Sequence, residues 1–490
     1  MNPLSIQSIK QVTGGKFLTA LPGNAPTVRG VSIDSRNIEA GCVFVAIRGD
    51  RTDGHLFLSQ AAAAGAVAAV VDCPPEVDLP NVVFIQVPDT RVALGKLASH
   101  VRRQMITCKV IAVAGSNGKT STKHLIGSGL SCKLRGSISP KSFNNDIGVP
   151  MTIFPADPSQ DYLVLEMGTN HPGEIIKLST MAQPDIAVIT NCSAEHLEGL
   201  GDMRGVRTEN ACMIDGLRPG GLLVVNGDDP ELLSATDRWE GRRVTFGFSP
   251  SCDLFATDVE LHDGTTNGSS SYSGREGTSF RLNNRPTRVF VPMLGRHNAA
   301  NALAAIAVAR RLGLSEEDVI AHLAHSSKPE MRMAMSHQPS GITLLNDCYN
   351  ANPGSMHAAV DTLTSLDCSG RRIAVLGDML ELGSAAENYH RRLGEEVARK
   401  GSQGLIDHLV CVGPCGQWIA EAAVSSGMPT ARVDHFSDSP SAGPYVSDIV
   451  NHGDIVLVKG SRSMRMERVC ESISSAVGLR STSDSAGRVG

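Results

Sequence analysis

The run KVIAVAGSNGKTS limits the fold more than any other stretch of this chain. Its apolar residues stop at Gly115, and Ser116, Asn117, Gly118, Lys119, Thr120 and Ser121 lead into a segment with helical spacing. A buried strand that ends at glycine and restarts as a helix belongs to an open α/β sheet, with the loop at the strand's carboxyl end. Glycines let successive backbone N–H groups curl around a phosphate, and the helix N-terminus favours negative charge. Lys119 can then reach terminal phosphates, while Thr120 offers a hydroxyl to magnesium. Only Ser116 and Asn117 separate Gly115 from Gly118, so the general Gly-x-x-x-x-Gly-Lys spacing is not met. The strand, loop and helix context carries the nucleotide assignment, against the alternative of a glycine turn with a solvated lysine.

Further apolar runs, DYLVLEMG, PDIAVITN and GGLLVVNGDD, each end at Gly or a polar residue and read as parallel strands of the same sheet. Glu166 ends one of them and His196 follows another, which places both at the sheet edge that holds the phosphate loop. Magnesium prefers oxygen ligands, so Glu166 with Thr120 suits it, whereas His196 taken alone reads as a surface or hydrogen-bonding histidine.

At 490 residues the chain exceeds one ordinary core, and three domains are expected. An Ala-rich stretch between short apolar runs marks residues 1–103. The sheet described above spans 104–314 and closes on the helix NAANALAAIAVARRLG, capped at Gly313. A further strand-helix alternation, RRIAVLGDM, AENYHRRLGEEVARK, DHLVCVG and DIVLVKG, fills 315–490 as a dinucleotide-fold-like domain. The polar, Gly/Ser-rich segment between Ser249 and Asn284 is expected to be a hairpin with a mobile loop, and the tail 480–490 to be disordered.

A net charge of -5 gives no basic surface for nucleic acid. The start MNPLSIQSIKQVTGG lacks the apolar core of a signal peptide, and no stretch reaches the roughly twenty apolar residues needed to cross a bilayer. A cytoplasmic protein without membrane insertion is expected. Its 12 cysteines are scattered, with no four-ligand zinc spacing around Cys411 and Cys415, and are expected to be reduced thiols.

Taken together, GSNGKTST, SFNNDIGVP, EMGTNHPGEI, ITNCSAEHLEGLG, GRHNAANALAA, NDCYNANPGSM, LGDMLELG and VLVKGSR resemble, in order and spacing, the Mur ligases of peptidoglycan synthesis. The pair EMGTNHPGEI and LGDMLELG, with YNANP between them, is most similar to the MurF type. The resemblance runs from about Val31 to Glu467. It implies a three-domain α/β fold: a small N-terminal UDP-binding domain, a central P-loop ATPase-like parallel-sheet domain and a C-terminal dinucleotide-fold-like domain.

It also implies an ATP- and magnesium-dependent ligase of cell wall biogenesis, and so of cell shape and division. Such an enzyme adds D-alanyl-D-alanine to UDP-N-acetylmuramoyl-tripeptide through an acyl phosphate, as a monomer. By the resemblance, Ser35 and Arg36 lie near the uridine nucleotide, although Asp34-Ser35-Arg36 alone reads as a turn. Lys119 and Thr120 bind ATP phosphate and magnesium, and Glu166 and His196 serve the second magnesium. His297, Asn298 and Asn301 lie toward the nucleotide, though His297 alone reads as a helix-cap residue. Arg332 and Asp347 reach ATP when the C-terminal domain closes, Tyr349, Asn350 and Asn352 shape that loop, and Asn144 and Asn145 join the substrate side.

The sequence departs from the pattern at several points. The helix after HLEG carries, in the MurF type, a carbamylated lysine that ligates the second magnesium, and Asn210 stands there. A neutral amide in place of an anion implies weaker or different metal ligation. Ala114, Met331 and Asn346 replace the family's usual Thr, Gly and Asp. Three readings follow, in order: an active ligase with rebuilt metal ligation, a ligase on another substrate, and a non-catalytic nucleotide- or UDP-sugar-binding homologue. The MurE type is the nearest rival, but its Asp-Asn-Pro-Arg motif is not found in the third segment, and folate polyglutamate ligases look more distant.

Overall fold

The computed structural model describes every residue except 22, 24, 25, 50, 51, 265–271, 273 and 476–490. Three α/β units follow one another along the chain, each built on its own sheet. The first sheet has five strands in the order Lys16–Phe17, Val83–Gln86, Ala68–Val71, Cys42–Val45, Gly30–Ser32, parallel except for the pairing of Lys16–Phe17 with Val83–Gln86. The helix Thr90–Gln104 leaves this unit, capped by Asp89, and buries Leu94, Leu97 and Val101 in a core that continues into the second unit.

The second sheet has nine strands. Its parallel part places Lys109–Ala114 between Tyr162–Glu166 and Ile186–Ile189, with Leu222–Asn226 beyond. The register sets Glu166 opposite Val113 and Ile189 opposite Ala114, so three loops leave the sheet at one edge. Strand residues here are buried on both faces, which is why the segments read as unbroken apolar runs. Leu254–Asp263 and Glu276–Leu282 form the expected antiparallel hairpin, while the tip that was expected to be mobile falls among the residues not described. The expected disordered tail also lies outside the described residues.

Helix His297–Arg311 is almost wholly buried from Asn298 to Ala309 because Ala-rich turns let it approach the sheet closely. Helix Glu316–Leu323 packs on it and on the helix Lys119–Leu130, so the cover of the second sheet runs past residue 314.

The third sheet has six strands in the order Ala334–His337, Thr343–Asp347, Ile455–Lys459, Arg372–Gly377, His408–Val412, Val433–Phe436, all parallel except the first. Leu197, Leu200 and Val206 of the second unit share a core with Met356, Val360 and Leu376 of the third. That contact closes a cleft between the two units at the carboxyl edges of both sheets.

Candidate active site between the second and third units

The phosphate loop is held from below and from the side. Gly115 takes φ +124°, and a Cβ there would lie 2.1 Å from Thr190 Oγ1; Gly118 takes φ +81°, and a Cβ there would lie 2.5 Å from Asn301 Oδ1. Only glycine satisfies both the backbone and the space. Asn191 grips the loop through its side chain, accepting from Asn117 N–H at 3.1 Å and donating to the Asn117 carbonyl at 2.8 Å. Ser116 Oγ donates to the Ser193 carbonyl and accepts from its N–H. Lys119 Nζ donates to the carbonyls of Gly115 and Ser116, at 2.9 Å in the second case.

Beside this loop Glu166, 1 % exposed, gathers three donors. Thr120 Oγ1 and Lys123 Nζ both donate to Oε2 at 3.0 Å, and Asn144 Nδ2 donates to Oε1 at 3.2 Å. Lys123 is fully buried, and that burial lowers its ammonium pKa, against the pull of Glu166. An anionic carboxylate and a hydroxyl meeting beside a phosphate loop suit a hard divalent cation.

His196 lines the same cleft, held between two acids: Nε2 lies 3.9 Å from Glu195 Oε2, and Nδ1 bonds Glu381 Oε2 of the third unit. Both His196 (φ +49°) and Glu381 (φ +63°) are left-handed, a conformation that non-glycine residues keep where the surroundings impose it.

The third unit supplies the roof. Arg332 stacks its guanidinium over the Tyr349 ring at 4.0 Å, and Tyr349 OH donates to Ser142 Oγ of the second unit at 2.6 Å. Asp347 accepts from Met333 N–H at 2.9 Å and from Lys459 Nζ at 2.6 Å; Lys459 also donates to the Asn350 carbonyl. Met331 adopts φ +52°, a left-handed backbone that glycine would take at less cost. Asn298 and Asn301 hydrogen-bond one another, and Asn298 Nδ2 also donates to the Leu294 carbonyl. His297 opens to water in the cleft, yet protein surrounds it broadly, and this desolvation lowers its imidazole pKa.

These groups line one cleft of about 820 Å³, which brings together Ser116 to Ser121, Asn144, Asn145, Glu166, His196, His297, Asn298, Asn301, Arg332, Asp347, Tyr349, Asn350 and Asn352. Ser35 and Arg36 stand apart, after the strand Gly30–Ser32 of the first sheet. Ser35 Oγ donates to Gln60 Oε1 at 3.0 Å, and Arg36 makes a fork to Asp34, whose carboxyl it lowers to about 2.

Asn210 sits in the helix Met203–Ala211. Its side chain is 1 % exposed and donates back to the Val206 carbonyl at 2.9 Å, away from the cleft lining. Its Nδ2 is thereby committed to its own helix, and Asn210 is not among the residues that line the cleft. Neighbouring Glu209 accepts from Gly173 N–H and Ile175 N–H at 2.7 Å, capping the helix Glu174–Ala182.

Sequence reasoning missed Lys123, Asn191, Glu195, Glu381 and Lys459. Only Lys123 carried a local signal, four residues after Lys119 and therefore on the same face of one helix. Glu381 and Lys459 lie within the quoted motifs, but their partners are distant in sequence.

The fold and the cleft define a class: a three-domain, ATP-dependent ligase whose phosphate loop faces a second nucleotide-fold domain. Family models agree, matching "Mur ligase family, catalytic domain" at residues 27–102, "Mur ligase middle domain" at 113–309 and "Mur ligase, glutamate ligase domain" at 331–462. The chain belongs to the Mur ligase family, in its MurF branch. It is 36 % identical to the UDP-N-acetylmuramoyl-tripeptide--D-alanyl-D-alanine ligase of Escherichia coli (strain K12), covering 92 % of this chain and 95 % of that one. The protein of the same name from Bacillus subtilis (strain 168) is 35 % identical, with 91 % and 93 % covered. Among solved structures, MurF from Acinetobacter baumannii superposes with a TM-score of 0.84 at 31 % identity, covering 97 % and 99 % of the two chains. MurF ligase from Thermotoga maritima in complex with ADP gives 0.79 at 26 %, covering 92 % and 99 %.

Proposed function

We propose that this chain joins D-alanyl-D-alanine to UDP-N-acetylmuramoyl-tripeptide at the expense of ATP, in the cytoplasm. The observation that carries the reading is the single cleft where the phosphate loop, Glu166, Arg332 and Asp347 converge from two units. The reaction first transfers the γ-phosphoryl group of ATP to the tripeptide carboxylate. The dipeptide amine then displaces phosphate from that acyl phosphate, forming the amide.

Each residue's part follows from its position. Lys119 and the loop N–H groups bind the phosphates and oppose the charge that builds during transfer. Arg332, braced on Tyr349, adds a second cation from the roof, and Asp347 holds Lys459 beside it. Asn298 and Asn301 support the loop from the helix behind it, next to His297. Asn144 and Asn145 face the substrate carboxylate, while Tyr349, Asn350 and Asn352 close the cleft against water. Ser35 and Arg36 hold the uridine end on the first sheet.

Thr120 and Glu166 would hold a magnesium ion, with His196 at the second position beside Glu195; when bound, the metal neutralises phosphate charge. The partners are these small-molecule substrates, and the state inferred for the chain is a monomer. Among the described residues no helix is long and apolar enough to cross a membrane.

The test is phosphate release with every substrate present and with each omitted in turn, alongside the mass of the UDP-linked product. Turnover that needs all components and yields UDP-pentapeptide supports the reading. ATP binding without product overturns it.

A further inference from the structure

A second concavity, about 500 Å³, opens at the opposite edge of the second sheet from the active cleft. Lys109, Arg218 and Arg311 line it, with Asp185, the turn Pro219-Gly220-Gly221 and the exposed Ile106. The cations come from three places far apart in the chain: the start of a strand, the turn before Leu222–Asn226, and the end of helix His297–Arg311.

Charge there is poorly balanced. Asp185 is the one carboxylate lining the pocket, and it is already committed. Its Oδ2 accepts from the buried Arg102 at 2.8 Å and from Val110 N–H at 3.0 Å. Its Oδ1 is shared by Lys109 at 3.9 Å and Arg218 at 3.5 Å. Among the described ion pairs neither of these cations has another acid, and Arg311 has none, its guanidinium donating instead to the Gly220 carbonyl at 3.3 Å. Three cations thus share one anion, and a fourth, Arg311, has none. Two of them reach for the same oxygen atom, which puts them within the span of one small tetrahedral anion.

We propose that this pocket is a second anion site, for a phosphate-class oxyanion held by Lys109, Arg218 and Arg311. A tetrahedral dianion accepts charge-assisted hydrogen bonds from several directions and relieves the repulsion among the cations. Asp185 keeps Lys109 and Arg218 pointed at the opening, and Arg102 anchors Asp185 from beneath. The pocket and the phosphate loop lie at opposite ends of the same elements. Strands Lys109–Ala114 and Ile186–Ile189 run from this pocket toward the residues that form and grip the phosphate loop, and helix His297–Arg311, about 22 Å long, has one end at the pocket and the other at the cleft.

The test is calorimetric titration of the intact protein with inorganic phosphate, and separately with ribose 5-phosphate. The proteins compared are the wild type, Lys119→Ala and the double variant Arg218→Gln/Arg311→Gln. Both changed arginines are exposed, so the double variant is expected to fold; its thermal midpoint is checked alongside. Expected is a binding event that survives Lys119→Ala and weakens at least tenfold in the double variant. Tighter binding of the sugar phosphate assigns a phosphorylated metabolite, and equal or tighter binding of the inorganic ion assigns free phosphate. Binding abolished by Lys119→Ala, or unchanged in the double variant, overturns the proposal.

Discussion

Asn117 of the phosphate loop and Asn352 of the third unit, 235 residues apart, exchange a reciprocal pair of side-chain hydrogen bonds of 3.2 and 2.9 Å. Asn352 also caps the helix Pro353–Ser365, through Ser355 N–H at 2.8 Å, and the first turn of that helix brings Gly354 against Ser193 and Asn117. The loop that holds phosphate is therefore in direct contact with the element that closes over it.

Replacing Asn352 by serine keeps a side chain able to cap the helix but is too short for the reciprocal pair. Two neutral hydrogen bonds of about 1 kcal/mol each correspond to a fall in kcat on the order of tenfold or more, with a smaller change in the KM for ATP. Thermal unfolding is expected to move little. A double-mutant cycle with Asn117→Ser checks the coupling, and additive effects would count against it.

Lys123 and Glu166 form a buried ion pair, 0 % and 1 % exposed at the side chain. Lys123→Met leaves the carboxylate without its cation and is expected to cost roughly 3–5 kcal/mol of stability, measured by urea denaturation. Lys123→Met/Glu166→Leu should recover most of that stability without recovering activity. A single-variant cost below about 1 kcal/mol would show that the pair is not as desolvated as its surroundings indicate.

The helix Met203–Ala211 separates two roles that adjacent residues could be thought to share. Asn210→Ala is expected to leave the magnesium dependence of turnover within about twofold, because the Asn210 amide turns back to the Val206 carbonyl. Glu209→Ala removes the acceptor for two backbone donors and should destabilise by about 2 kcal/mol. A shifted magnesium requirement in Asn210→Ala would mean that its side chain does serve the metal.

His390 is fully buried, and desolvation lowers its pKa from 6.5 despite the nearby Asp378 carboxyl. Its Nδ1 bonds the Ala386 carbonyl at 2.7 Å and its Nε2 accepts from Met379 N–H at 2.9 Å, so both nitrogens are used by the neutral ring. The unfolded chain takes up this proton near pH 6.5 and the folded chain only at lower pH. Stability from this group is present above that pH and is lost as pH falls below it. His390→Gln should flatten the pH dependence of the unfolding free energy just below pH 6.5, by up to about 1.4 kcal/mol per unit, measured by urea denaturation. An unchanged slope would contradict this.

Most of the site's floor is legible in the sequence, because each part is local. Glycines mark the phosphate loop, and a carboxylate at a strand end marks Glu166. The roof is not local. That Glu381 meets His196, that Lys459 meets Asp347 and that Asn352 meets Asn117 depends on how two sheets face one another, which no spacing records. Asn210 illustrates the limit of alignment: the sequence shows that a neutral amide stands there, but not that its Nδ2 donates to the Val206 carbonyl of its own helix. The extent of the second unit was hard to see for a similar reason, since helix Glu316–Leu323 follows a glycine that reads as an end but folds back on Lys119–Leu130.

The most direct measurement is oxygen transfer. The tripeptide substrate is labelled with oxygen-18 in its terminal carboxylate, incubated with the enzyme, ATP, magnesium and D-alanyl-D-alanine, and the released phosphate is weighed by mass spectrometry. One labelled oxygen per phosphate, appearing only when every substrate is present, is the expected result, because the carboxylate oxygen leaves with the phosphate when the amine attacks. Unlabelled phosphate formed together with UDP-pentapeptide would contradict activation of the carboxylate in this cleft.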